Sequence, residues 1–83
     1  MQANDKILLQ KFGEQLKLLR EARYESLNKF AFDNVLLTSA TISRIENANV
    51  DFKFTTLIKI ANALNITPSE LLKDIDFKYS DYE

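Results

Sequence analysis

The chain of 83 residues contains one glycine, Gly13, and one proline, Pro68. Tight hairpin turns draw mainly on glycine for their positive-φ positions, so a chain with a single glycine has little means of building a sheet. An all-α fold is therefore expected. The length allows one domain, near the lower end of what folds without staples. An apolar fraction of 46% is enough for a genuine core.

The residues that are missing exclude much chemistry. There is no cysteine, so neither a disulfide framework nor a thiolate metal site can form. There is no histidine, which removes the usual general base near neutral pH and the commonest metal ligand. With no glycine-rich phosphate loop either, the sequence offers no activated nucleophile and implies no enzyme, metal or cofactor. No apolar run approaches the roughly 18 residues of a membrane span. The opening MQANDKILLQ lacks the basic-then-apolar layout of a secretory signal. A cytoplasmic protein without a membrane partner is expected.

The net charge of −1 argues against a nucleic-acid partner until its distribution is considered. Residues 70–83 carry five acids against two bases, and the preceding 69 residues carry nine bases against seven acids. A mildly basic body thus precedes an acidic tail.

From Asp5 to Arg23, Ile7, Leu8, Phe12, Leu16 and Leu19 recur at three- and four-residue spacing, with Leu9 beside them, which predicts an amphipathic helix. Gly13 inside it costs about 1 kcal/mol relative to alanine and marks a break or a close helix approach. Ser26 is a candidate N-cap for a short second helix with Phe30 and Ala31 buried, and Asn34 a candidate turn residue. Thr38 caps a third helix, with Ala40, Ile42 and Ile45 marking its inner side. The segment Ala48–Lys53 reads as a loop, and Phe54–Leu64 as a fourth helix with Leu57, Ile58, Ala61 and Leu64 inward. Phe52 and Phe54 read as core or loop anchors. Asn65 suits a left-handed helix cap, and Thr67-Pro68-Ser69-Glu70 opens a fifth helix reaching about Lys73. Beyond it Ile75, Phe77 and Tyr79 alternate with polar residues in a strand-like pattern that lacks a partner.

The order of these elements is that of a helix-turn-helix, whose second short helix enters the major groove of double-stranded DNA. With Ile42 and Ile45 inward, the expected outward residues of the third helix are Ser39, Thr41, Ser43 and Arg44. Arginine suits base reading because its fork matches the two acceptors of guanine, and hydroxyls bond bases or phosphates. Thr38, as N-cap, would set the free N–H groups of the helix near a phosphate.

The run TISRIENANVDFKFTTLIKIANALNITPSELL resembles the lambda-repressor-like helix-turn-helix family of phage repressors and bacterial regulators. It carries that family's Ile-Ser-Arg-Ile-Glu, an asparagine-rich loop and Ile-Ala-x-Ala-Leu in order. FGEQLKLLREAR resembles the family's first helix, and SLNKFA stands where its second helix stands. The resemblance spans roughly residues 12 to 73. It implies a compact five-helix fold, DNA contacts from the third helix, and a structural salt bridge between Arg20 and Glu46.

Departures from the family pattern are also visible. Leu27 stands where a phosphate-contacting glutamine is common, which leaves Asn28 and Lys29 as the candidates there. FDNVLLT is one residue longer than the usual turn, and NANVD lacks the family's basic loop residues, leaving Lys53 nearby. Each departure predicts a lighter hold on the DNA backbone. The expected organisation is a DNA-binding domain over residues 1–73 and a tail over 74–83. The function implied is a sequence-specific transcriptional repressor, a homodimer on a two-fold-related operator. The alternatives are an antitoxin-type module that also grips a partner protein through its tail, and a helical adaptor that binds only protein.

Overall fold

The spaced apolar side chains of the N-terminal third become α1 (Ala3–Glu21), which turns Phe12 and Leu16 fully into the core and leaves Ile7, Leu8, Leu9 and Leu19 half-buried. A computed structural model describes residues 3–33 and 37–77. The described residues form four further helices, α2 (Leu27–Asp33), α3 (Ser39–Glu46), α4 (Phe54–Ala63) and α5 (Pro68–Leu72), and no strand. None of them is long and apolar enough to cross a membrane.

Gly13 does not interrupt α1. It lies at a close approach, where a Cβ would fall 2.8 Å from the carbonyl oxygen of Ile45 and 2.9 Å from the carbonyl carbon of Glu46. The start of α2 is fixed by Ser26, whose hydroxyl accepts the Lys29 N–H at 3.1 Å. Phe30 is fully buried and meets Tyr24 edge-on at 4.9 Å between ring centres, whereas Ala31 is only half-buried. The expected turn residue, Asn34, and most of the lengthened FDNVLLT turn lie outside the described residues.

Helices α3 and α4 end in the same way. After α3, Ala48 N–H donates to Ile45 and Asn49 N–H to Arg44, with Ala48 at φ 57°. After α4, Asn65 N–H donates to Asn62 and Ile66 N–H to Ala61, with Asn65 at φ 58°. This paired closure satisfies carbonyls that a helix end leaves without partners. Asparagine is a usual residue for it and alanine is not; the left-handed region costs a residue with a Cβ about 1–2 kcal/mol. Ala48 is buried to 1% exposure, so its methyl contributes to the core that offsets this.

α4 buries Ile60 and Ala61 and is followed by the buried Leu64, with Leu57 and Ile58 half-buried. Phe52 packs against Phe12 at 4.9 Å between ring centres and anchors the preceding loop. Phe54 does not share that role, since it is 73% exposed. It occupies the first position of α4, and the buried face of that helix runs through Ile60, Ala61 and Leu64.

At α5 the Thr67 hydroxyl accepts the Glu70 N–H at 3.0 Å, and the Glu70 carboxylate accepts the Thr67 N–H at 3.1 Å. That reciprocal box, mainly through the backbone N–H of Thr67, holds the Glu70 carboxyl below its ordinary pKa. The strand-like pattern after α5 does not become a strand over Ile75–Phe77. A strand needs a partner edge; Ile75 instead donates its N–H to Leu72 and packs against the core. Tyr79 and the rest of the tail lie outside the described residues. Within the fold α3 packs on α1 and α2, while α5 packs on α1 and α4.

Candidate nucleic-acid interface

The two ends of α3 are held by different means. At its start Thr38 adopts extended geometry and its hydroxyl accepts the Thr41 N–H at 3.1 Å. At its end Arg20 of α1 grips Glu46 bidentately, Nε to Oε2 at 2.6 Å and Nη2 to Oε1 at 3.0 Å. Both side chains are 7% exposed, so the pair is effectively buried. The hydrogen bond to Glu46 raises the Arg20 pKa further, against the opposing effect of burial. The guanidinium is charged at every accessible pH.

Lys6 adds a second contact by donating from Nζ to the Ala48 carbonyl oxygen at 2.5 Å. A cation there also complements the negative end of the α3 dipole. The missing side chain of Gly13 lets the two backbones meet at the same place. Ile42 and Ile45, at 0% and 1% exposure, then fix the rotation of the helix about its own axis.

That rotation corrects one expectation. Ala40 does not belong to the inner side of α3; it is exposed. At about 3.6 residues per turn, the direction opposite Ile42 and Ile45 passes through Ala40 and Asn47. Ser43 and Arg44 sit beside that line, and Ser39 and Thr41 lie at its flanks. Exposure follows the same order, with Ala40, Arg44 and Asn47 exposed and Ser39, Thr41 and Ser43 half-buried. Alanine carries too little apolar surface to dictate burial, whereas two isoleucines three residues apart do. Asn47 was not among the residues expected to face outward. A helical wheel centred on Ile42 and Ile45 contains the signal that places both it and Ala40.

The polar groups of the face are partly committed to one another. Thr38 donates its hydroxyl proton to the Thr41 hydroxyl at 2.9 Å, so Thr38 is engaged in capping on both counts. Asn47 Nδ2 donates to the Ser43 carbonyl at 2.9 Å and to the Ser43 hydroxyl at 3.3 Å. Thr41 and Ser43 accept these bonds through oxygen and retain their own protons for outside acceptors. The Arg44 guanidinium has no partner among the described residues and stands exposed.

The other candidates lie on neighbouring elements. Asn28 and Lys29 are exposed on α2, with the Lys29 ammonium 5.9 Å from the centre of the Phe32 ring. Lys53 is exposed immediately before α4, whose N-terminus has no side-chain cap. On another face Leu8, Leu9, Phe52, Leu57, Leu72 and Phe77 line an open, almost wholly apolar depression.

A family model of the Cro/C1-type HTH DNA-binding domain matches residues 16–76, well over half of the chain. Neither a curated protein nor a solved structure gave a match.

Proposed function

Because the chain belongs to the Cro/C1-type HTH DNA-binding domain family, and is thus a DNA-binding regulator, we propose that it is a repressor that reads the major groove with α3. It acts as a homodimer, placing two copies of α3 on a two-fold-related operator and excluding other proteins from a promoter. The observation that carries this reading is the asymmetry of α3. Its inner face and C-terminal end are fixed by Ile42, Ile45 and the Arg20–Glu46 pair, while Arg44 projects from the outer face without a partner among the described residues.

In this arrangement Arg44 donates to a guanine edge, and Ser39, Thr41 and Ser43 supply hydroxyl contacts to bases or to the adjoining backbone. Thr38 presents the helix N-terminus to a phosphate, and Asn28, Lys29 and Lys53 set the register on either side. The backbone contribution is light. With about four phosphates neutralised per dimer, affinity falls roughly a hundredfold between 50 and 200 mM salt, less than for a strongly basic reader.

Fluorescence anisotropy against a selected duplex at several salt concentrations tests this directly. Arg44→Ala should cost about 1–3 kcal/mol on the selected site and little on random DNA. Binding that ignores both salt and Arg44 would exclude the proposal.

A second reading is favoured by the apolar depression, which Phe77 of the tail helps to line. Such a surface suits a protein contact, as in an antitoxin-type module that binds operator DNA and a partner protein together. Deleting residues 74–83 would then release a co-purifying partner and leave DNA binding intact.

A further inference from the structure

We propose that Ala40 is a specificity-determining residue, and that its methyl group reads the C5-methyl of a thymine. This rests on the proposed docking of α3 and adds the base that its centre selects.

Ala40 lies on the axis of the exposed face of α3, directly opposite the buried Ile42 and Ile45. It is the single apolar side chain on that face, surrounded by the hydroxyls of Ser43 and Thr41 and by Arg44. A residue at the centre of a groove-facing helix meets the groove floor before its neighbours do. A small one there allows the helix to approach until Ser43 and Arg44 reach base edges. The methyl itself can neither donate nor accept a hydrogen bond. Against a donor or acceptor edge it would leave that group dehydrated and unpaired. The one apolar group on the major-groove edge is the thymine C5-methyl.

Ser43 and Arg44 supply the polar neighbours of that contact. The Ser43 hydroxyl accepts from Asn47 Nδ2, so its proton is available to an acceptor such as thymine O4. Arg44 follows Ala40 by four residues, a rise of about 6 Å along the helix. Stacked bases are spaced by about 3.4 Å, so the thymine read by Ala40 and the guanine read by Arg44 fall within about two base pairs of each other.

The test begins with selection of a preferred duplex from a random pool by the full chain. Each thymine of the selected site is then replaced by deoxyuridine, which lacks only the methyl group. One thymine per half-site should weaken binding about fourfold on losing its methyl, the worth of burying one such group. Ala40→Gly should bind the thymine and deoxyuridine sites equally. Ala40→Gln keeps a good helix former at an exposed position, so the fold is retained while the longer side chain blocks approach; specific affinity should fall at least about tenfold. Deoxyuridine substitutions without effect, a preference for thymine that survives Ala40→Gly, or unchanged affinity in Ala40→Gln would each overturn the assignment of Ala40 while leaving DNA reading by α3 in place. A pool that yields no enriched sequence would overturn that underlying reading as well.

Discussion

Replacing Gly13 by alanine isolates the contact that sets α3 against α1. On helix propensity alone the substitution stabilises an exposed helix by about 1 kcal/mol. The structure requires the opposite sign. The new Cβ would collide with the Glu46 carbonyl oxygen and lie 2.8 Å from that of Ile45, where ordinary contact begins near 3.4 Å. Both obstacles are backbone atoms, so no side-chain rotation relieves them. The helices must separate by at least ~0.6 Å, and overfilling of this kind costs about 1–3 kcal/mol. The same displacement pulls Glu46 away from Arg20, whose Nε–Oε2 distance is 2.6 Å and leaves little room to stretch. A net loss of about 1–2 kcal/mol is expected once the propensity gain is deducted. Urea unfolding of Gly13→Ala measures it, with the exposed neighbour Glu14→Ala as the propensity control. On the proposed function, operator affinity should also fall under conditions where the variant is fully folded. A variant as stable as the wild type or more so would refute the close-approach account of Gly13.

Two further outcomes follow from the ionic contacts. Glu46→Ala strands a guanidinium that is 6% exposed, and denaturant unfolding should show a loss of about 3–5 kcal/mol; the double variant Arg20→Met/Glu46→Leu should lie closer to the wild type than either single change. The Glu70 carboxyl has a lowered folded-state pKa, so its stabilisation is present above the unfolded value near ~4.3 and is lost as pH falls through the folded value. Glu70→Gln should therefore flatten the acid limb of a melting-temperature profile below pH ~4.5, and an unchanged limb would show that the box adds no pH dependence. Arg20 contributes nothing to that limb. Its pKa is raised from an already high value, so the guanidinium does not titrate in the acid range.

Much of this architecture was legible because local chemistry and global fold agree. Thr38, Ser26 and the Thr67–Glu70 box start the helices that their residue types predict. Asn65 takes the left-handed position at the end of α4. The features that were not legible are those for which the local signal is weak or absent. Ala48 closes α3 in a conformation that alanine ordinarily avoids, and only its burial shows why it is tolerated. Phe54 reads as an anchor by composition and is excluded from the core by its rotation on α4. Ala40 reads as inward because it is apolar, yet one methyl cannot compete with Ile42 and Ile45 for the buried direction. The Lys6 contact to Ala48 joins residues 42 positions apart, beyond the reach of any periodicity argument.

On the proposed function, the contacts that α1 makes with the end of α3 bear on how a chain of net charge −1 discriminates among DNA sequences. Non-specific binding is almost wholly electrostatic, so a domain with few cations along its backbone-facing loops holds random DNA poorly. On the proposed function, discrimination then depends on the direct contacts of α3, and those are worth most when the helix need not be ordered on binding. Gly13, Arg20 and Lys6 all act from α1 on the last turn of α3 or on Ala48 just beyond it. Each of them ties the end of α3 to α1, which on the proposed function lowers the ordering that binding requires. On the proposed function, loosening any one should therefore weaken specific binding more than random-sequence binding. Removing Lys53 should do the reverse, weakening both nearly equally and lowering the salt slope of the dimer by about two, one for each copy.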